Sequence, residues 1–302
     1  MIEQIKEIVP EGLMILKAYA KINWSLDITG QREDGYHIMD MLMQPVSLAD
    51  DITLSPAASL SITTGGWPRS RADESNLAYR AALALKNETG YPLGARIHVD
   101  KHIPIGAGMG GGSSDAAAVL TGLNRLWNTG LSGADLERIG LTIGADVPFL
   151  IRGGLARTRG IGEDMEDHEC RYSYWLIVIQ PCPGLSTAQV FSLWHESAPA
   201  DRPDTDHALR ALETGDLNLL CASIGNVLQP VSEKLRPEIA EACTLLTAEG
   251  AQAARMTGSG SAVFGVFRSP SVAEKAYQRI SARYKTVFLC HTQHDSVRIM
   301  EE

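Results

Sequence analysis

The sequence predicts a mixed α and β protein of two domains, on three observations. The chain has 302 residues, more than one hydrophobic core usually serves, so two units of about 150 residues each are the default. Period-two alternation marks several strands, and helical-period apolar stripes are interleaved with them. The long N-terminal strands are separated by turns rather than helices, which disfavours a purely parallel sheet.

Residues 13–29 read as the first strand. From Ala20 the alternation is clean, with Ala20, Ile22, Trp24, Leu26 and Ile28 on one face and Lys21, Asn23, Ser25 and Asp27 on the other. Residues 29–37 form a polar, glycine-marked turn. Met39, Met41 and Met43 repeat at period two, and Ile52 and Leu54 extend a further strand; the thioethers read as core filling. Residues 76–88 are helical, with Leu77, Ala81, Ala84 and Leu85 in register, and Gly90 and Pro92 stop the helix. Residues 95–105 form a strand, and residues 113–128 a helix with its stripe at Ala116, Val119, Leu120, Leu123, Leu126 and Trp127. Ser132 caps another helix, residues 144–148 end it, and strands return around residues 150–158. Residues 162–169 are acidic and exposed. Residues 175–179 are a buried strand, with the boundary near residue 170, giving domains 1–170 and 171–302. Helices follow near 206–214 and 238–248, strands at 253–256 and 262–267, then a helix over 271–284 and a strand over 285–290.

The net charge of −9 argues against broad electrostatic attraction to nucleic acid or an anionic membrane. The five cysteines form no CxxC pair and read as reduced thiols in a cytoplasmic protein. The first nine residues carry acids and no long apolar core, unlike a signal or transit peptide, and no run has the length of a membrane span. Of the eight histidines, His98, His102, His168, His195, His207, His291 and His294 show no ligand spacing and read as structural or surface groups.

The most informative stretch is Pro104-Ile105-Gly106-Ala107-Gly108-Met109-Gly110-Gly111-Gly112-Ser113-Ser114. Glycines permit positive φ and close backbone approach to a ligand. The first N–H groups of the following helix lack intrahelical partners and lie at its positive pole, so such a loop receives phosphate. A flexible linker is the bland alternative, countered by the strand pattern of Ile97, Val99, Ile103 and Ile105 before it. No Lys-Ser/Thr follows the glycines, so this is not a Walker loop, and no acidic residue stands where a dinucleotide fold requires one. Ser113 and Ser114 can cap the helix, reach a phosphate oxygen or help hold a metal ion. Asp115 reads as a first-turn acid rather than a catalytic group.

Three features converge with this loop. Lys21 and Asn23, two apart, share one strand face. Asp146 sits in a glycine-proline turn, either as a helix N-cap or as a functional carboxylate. Residues 257–261, Thr-Gly-Ser-Gly-Ser, form a second glycine loop that can offer amides to an anion.

With these positions in order along the chain, the sequence resembles the GHMP small-molecule kinases. The 20–23, 34–37, 144–148 and 255–261 motifs are most similar to members that act on a cytidine-diphosphate-linked polyol. The resemblance implies an α+β, two-domain GHMP kinase fold, ribosomal-S5-domain-2-like first and ferredoxin-like second, with the active site in the cleft between them. It implies ATP as phosphoryl donor to a substrate hydroxyl, bound by residues 104–114 with Lys101 bordering the adenine, and Mg²⁺ on the phosphates with Ser113 or Ser114 as protein contacts. Asp146 would take the hydroxyl proton beside Lys21. Asn23, Tyr36, His37, Gly258, Ser259 and Gly260 would hold the acceptor, with Phe191 either there or in the core. The implied partners are two small molecules, with no nucleic acid or membrane, for a monomer or homodimer. Mevalonate and homoserine kinases, and a non-catalytic nucleotide-binding module, are the rival readings.

Overall fold

A computed structural model describes residues 12–67, 69–162, 164–194 and 202–301. The readings made of the first nine residues, of Glu163 and of His195 lie outside them. Strands β1 (Met14–Gln31) and β2 (His37–Ala57) pair antiparallel over nearly their whole length. β3 (Ser61–Gly66) lies parallel to β4 (Gly94–Lys101), which pairs with the second half of β2. β5 (Leu155–Gly160) pairs with its first half and carries β6 (Asp164–His168). Four helices accompany this sheet: α1 (Leu77–Thr89), α2 (Gly111–Leu126), α3 (Gly133–Leu141) and α4 (Val147–Arg152). Local chemistry sets their ends. Asn76 caps α1 by accepting from Ala78 N at 2.9 Å, and Gly90 closes it at φ 66°. Ser132 and Asp135 form a reciprocal capping box at α3.

The second sheet is antiparallel in the order β11-β7-β10-β9, from β7 (Trp175–Ile179), β9 (Ala253–Met256), β10 (Val263–Phe267) and β11 (Val287–His291). Helices α5 (Thr187–Leu193), α6 (Thr205–Thr214), α7 (Leu217–Ser223) and α8 (Gln229–Leu235) lie between β7 and β9. They are followed by α9 (Glu238–Ala248) and, after β10, by α10 (Pro270–Ile280).

Some element boundaries read from the sequence need correction. Residues 147–152 are helical, because Pro148 lies in the first turn of α4, where its fixed φ begins a helix. The last helix stops at Ile280, and a further strand, β12 (Val297–Glu301), pairs antiparallel with β1 at Ile15–Ala18. Its five residues are too few for a clear alternation. Between β6 and β7 the chain passes from one sheet to the other, and β8 (Gly225–Asn226) and β12 both return to β1. The second half of the chain therefore completes the first sheet.

The single apolar face expected along β1 is divided between two cores. Ala20, Ile22 and Trp24 belong to one, whereas Leu16, Ala18, Leu26 and Ile28 belong to the other. Register shifts between Tyr19 and Lys21 and between Asn23 and Ser25 separate these groups. A bulge adds one residue to a strand and re-aims the side chains beyond it. The core holding Trp24 joins the sheets: its ring meets Tyr174 and Phe264 edge-on, both at 5.6 Å, and its Nε1 donates to Gln44 at 2.9 Å. Phe264→Ala should lower stability by about 3–5 kcal/mol. The check is a fall in the denaturant midpoint with the slope of the transition unchanged.

Candidate active site

The glycine loop between β4 and α2 turns three times through positive φ, at Gly106 (66°), Gly108 (77°) and Gly110 (71°), the last being the N-cap of α2. Gly108 is required sterically as well, since a Cβ there would lie 2.2 Å from the Thr257 carbonyl oxygen. The loop is tied to both sheets. Lys21 N donates to Met109 O at 3.0 Å from β1, and Ala262 N donates to Ala107 O at 3.1 Å from the second glycine loop. Ala116, Ala117 and Ala118 are buried behind it, so α2 is set close to the sheet and its free N-terminal amides are fixed in place.

Between the two bulges of β1, Lys21 and Asn23 face a cavity of about 890 Å³ lined by both glycine loops. Lys21 Nζ donates to Asn23 Oδ1 at 2.7 Å and lies 3.5 Å from Asp146 Oδ2. The lysine side chain is only 4% exposed and the aspartate 32%, so a dehydrated ammonium faces a carboxylate that water or substrate can reach. Asp146 occupies the N-cap position of α4, yet its side chain makes no capping bond. The carboxylate is left to Lys21 and the cavity. Asn23 also receives Gly258 N at 3.1 Å, while its own N–H donates to Thr257 Oγ1 at 3.0 Å.

Lys101 also lines the cavity, but its ammonium is committed. It bridges Asp50 and, at 2.8 Å, Asp115 Oδ2, and all three are almost fully buried. Asp50 further accepts from His102 N and Ile103 N at 2.6 and 2.8 Å, pinning the start of the glycine loop. Burial works against the Lys101 charge, but the two carboxylates outweigh it and hold its pKa above the usual value. Burial pushes the Asp115 carboxyl well above its ordinary range, with Lys101 opposing. Ser113 lines the cavity. Ser114 does not, because its hydroxyl is buried and donates to Tyr19 O at 2.7 Å, which fastens α2 to β1 and removes it as a metal contact.

Phe191, on α5, lines the cavity, as do Gly258, Ser259 and Gly260. His37 is not part of the cavity wall, but its ring lies 5.4 Å from Phe191 and 5.5 Å from Trp194. Tyr36 stands at the turn tip, 62% exposed. Pattern reading missed Asn226, whose Nδ2 donates to Met256 O and Gly258 O at 2.9 and 2.8 Å; a lone asparagine carries no sequence signal. It also missed Arg69, Ser70 and Arg71 on the cavity rim, and the part of Met39 and Met41 that forms its wall. Asn76, read only as the start of a helix, lines the same cavity.

The domain families described as "GHMP kinases N terminal domain" and "GHMP kinases C terminal" match residues 76–154 and 208–286. This chain belongs to the GHMP kinase family. Among relatives of this GHMP kinase, the 4-diphosphocytidyl-2-C-methyl-D-erythritol kinase of Alkaliphilus metalliredigens is 40% identical over 275 residues, 91% of this chain and 94% of that protein. The protein of the same name from Moorella thermoacetica is 41% identical over 284 residues, 93% and 99% of the two chains. A crystal structure of 4-(cytidine 5'-diphospho)-2C-methyl-D-erythritol kinase superposes with a TM-score of 0.80 at 33% identity, covering 92% of this chain and 99% of that one. A homoserine kinase from Cytophaga hutchinsonii, at 17% identity and TM-score 0.76 over 95% and 97% of the chains, shares the fold.

The loop geometry yields a direct test on this GHMP kinase. Gly108→Ala puts a side chain at positive φ and against Thr257 O, so the two glycine loops must separate. ATP affinity should fall by about tenfold or more, about 1.4 kcal/mol per decade, as measured by calorimetric titration, with the far-ultraviolet circular dichroism unchanged.

Proposed function

We propose that this GHMP kinase transfers the γ-phosphoryl group of ATP to the 2-hydroxyl of 4-diphosphocytidyl-2-C-methyl-D-erythritol. The products are the 2-phosphate and ADP, in the non-mevalonate route to isoprenoid precursors. The reading is carried by one juxtaposition: the Lys21–Asp146 pair, 3.5 Å apart, lies in a cavity lined both by the phosphate-type loop and by Phe191, which packs on His37. The names of the relatives supply the acceptor.

In this mechanism the substrate hydroxyl is presented to Asp146, which accepts its proton as the oxygen attacks the γ-phosphorus. A new O–P bond forms, the bond from that phosphorus to the bridging oxygen of ADP breaks, and the leaving electron pair stays on ADP. Lys21, held by Asn23, offsets the charge spreading over the phosphoryl oxygens. Such a reaction needs positioning and charge neutralisation more than covalent chemistry. The backbone N–H groups of residues 106–113 and the N-terminus of α2 hold the donor phosphates. The Ser113 hydroxyl, which lines the cavity, suits Mg²⁺ carried in on the nucleotide, since this ion keeps phosphate and water oxygens and asks little of the protein. When bound, the ion neutralises phosphate charge.

At the acceptor end, Tyr36, His37 and Phe191 offer aromatic faces and a ring nitrogen to a pyrimidine. The second glycine loop, Gly258-Ser259-Gly260, closes the site beside Asn23. All these groups come from one chain, so a monomer is a complete catalytic unit. A reduced, cytoplasmic setting fits five free cysteines, and among the described residues no helix is long and apolar enough to cross a membrane.

A phosphorylation assay with the cytidine-linked methylerythritol, mevalonate and homoserine should show strong preference for the first; preference for either of the others would overturn the assignment. Asp146→Asn should lower kcat by about 10²–10⁴-fold, with the Kd for ATP nearly unchanged by calorimetry. His37→Ala should raise KM for the cytidyl substrate about tenfold and leave KM for ATP alone. Equal effects on both substrates would remove His37 from base recognition.

A further inference from the structure

Four basic residues line the cavity: Lys21, Arg69, Arg71 and Lys101. Two of them are already matched inside the protein. Lys21 faces Asp146, and Lys101 is shared between Asp50 and Asp115. Lys101 is fully engaged and Lys21 is shared between Asp146 and the transferring phosphoryl group, so the cavity floor brings little net positive charge to the rest of an incoming polyphosphate, and the chain as a whole carries −9. Backbone amides supply hydrogen bonds and partial charges, but no full counter-charge.

Arg69 and Arg71 supply what is lacking. Both are exposed, and neither forms an ion pair among the described residues. The nearest acid in sequence, Asp73, gives its carboxylate to the backbone N–H of Ser75, at 2.8 Å, and to the Ser75 hydroxyl. The backbone carrying the two arginines is nevertheless held. Trp67 N donates to Lys101 O at 3.0 Å, Thr64 Oγ1 donates to Ser70 O at 3.0 Å, and Asn76 Nδ2 donates to Arg71 O at 2.6 Å. The segment is anchored at three points and carries two exposed guanidinium groups; Arg71 feels the Asp73 carboxylate at longer range, without an ion pair at bonding distance. It also stands at the donor end of the cavity. Leu77, just beyond it, lies against the glycine loop, where a Cβ on Gly112 would sit 3.3 Å from Leu77 Cδ1.

We propose that Arg69 and Arg71 form a cationic clamp on the rim of the cavity that binds the polyphosphate of ATP across from the glycine loop. This rests on the reading of ATP as donor given above, and assigns the residues that supply its counter-charge. Guanidinium suits the task because its planar fork donates to two phosphate oxygens at once and keeps its charge at any working pH. Because the arginines are exposed, their replacement leaves the fold intact, and because they are far from the Lys21–Asp146 pair in role, the chemical step is spared.

The test is a double variant, Arg69→Gln with Arg71→Gln, beside Arg69→Lys with Arg71→Lys. Steady-state kinetics should show KM for ATP raised about tenfold in the glutamine variant, kcat within about twofold, and KM for the cytidyl substrate unchanged. The rise of KM for ATP with ionic strength should become shallower, which a merely structural role would not produce. The lysine variant should recover part of the affinity, since it restores charge without the fork. An unchanged KM for ATP with an unchanged salt dependence would overturn the clamp. So would a selective rise in KM for the cytidyl substrate, which would put the arginines on the other ligand. Calorimetric titration of ADP and ATP into the same variants separates this proposal from the reaction assignment. Weaker nucleotide binding in the glutamine variant supports the clamp even if wild-type turnover names a different acceptor, and unchanged binding refutes it even if the acceptor is as proposed.

Discussion

The carboxamide oxygen of Asn23 is the point on which the site depends. It accepts the Lys21 ammonium from its own strand and the Gly258 N–H from the second glycine loop. One acceptor thus fixes the buried cation and the loop of the other sheet in a single geometry. A lysine that is 4% exposed has lost most of its hydration and must be repaid by oriented oxygens. Asn23 Oδ1 and Asp146 are those oxygens. Around them the contact between Gly108 and Thr257 leaves no room for a Cβ, so the phosphate-type loop and the second loop are positioned against each other and not independently.

The two buried lysines of the cavity show how surroundings divide one residue type between two tasks. Lys101 is sealed between two carboxylates, with no free direction in which to meet a ligand. It spends its charge on the architecture of the loop entrance and of α2. Lys21 has one neutral acceptor and one carboxylate at the longer distance of 3.5 Å, an arrangement that a reacting group can enter. Their exposure is nearly the same, so burial alone would not tell them apart; the number and charge of their partners does.

Much of this was legible in the sequence, for reasons that are local. The positive-φ glycines, the cap at Ser132, and the strand alternation of residues 20–28 report on backbone geometry within a few residues. The cluster of Lys21, Asn23, Asp146 and residues 257–261 followed from a resemblance that spans most of the chain. What escaped is non-local or set by a single residue. The two bulges of β1 divide one apparent face between two cores, and nothing in an alternating pattern marks where an extra residue will be accommodated. Whether Ser113 or Ser114 turns toward the cavity depends on the phase of the first turn of α2, which adjacent identical residues cannot reveal. Asn226 acts through partners distant in sequence, and the arginines of the rim reach the cavity only through the folding of the segment that carries them.

The pairing of β12 with β1 bears on biosynthesis. Met14–Ala18 begin the first sheet, and among the described residues their outer edge is paired by residues 297–301. During translation that edge waits until residues 297–301 have been made, exposing unpaired backbone groups of the kind that recruit other strands. Closing the sheet also demands a contact between residues 15–18 and 297–301, far apart in sequence, which slows folding more than local pairings do. The sheet that holds the glycine loop is thus begun early in translation and closed only by a distant strand, and until residues 297–301 are made the groups of the candidate site stand on a sheet with one side open.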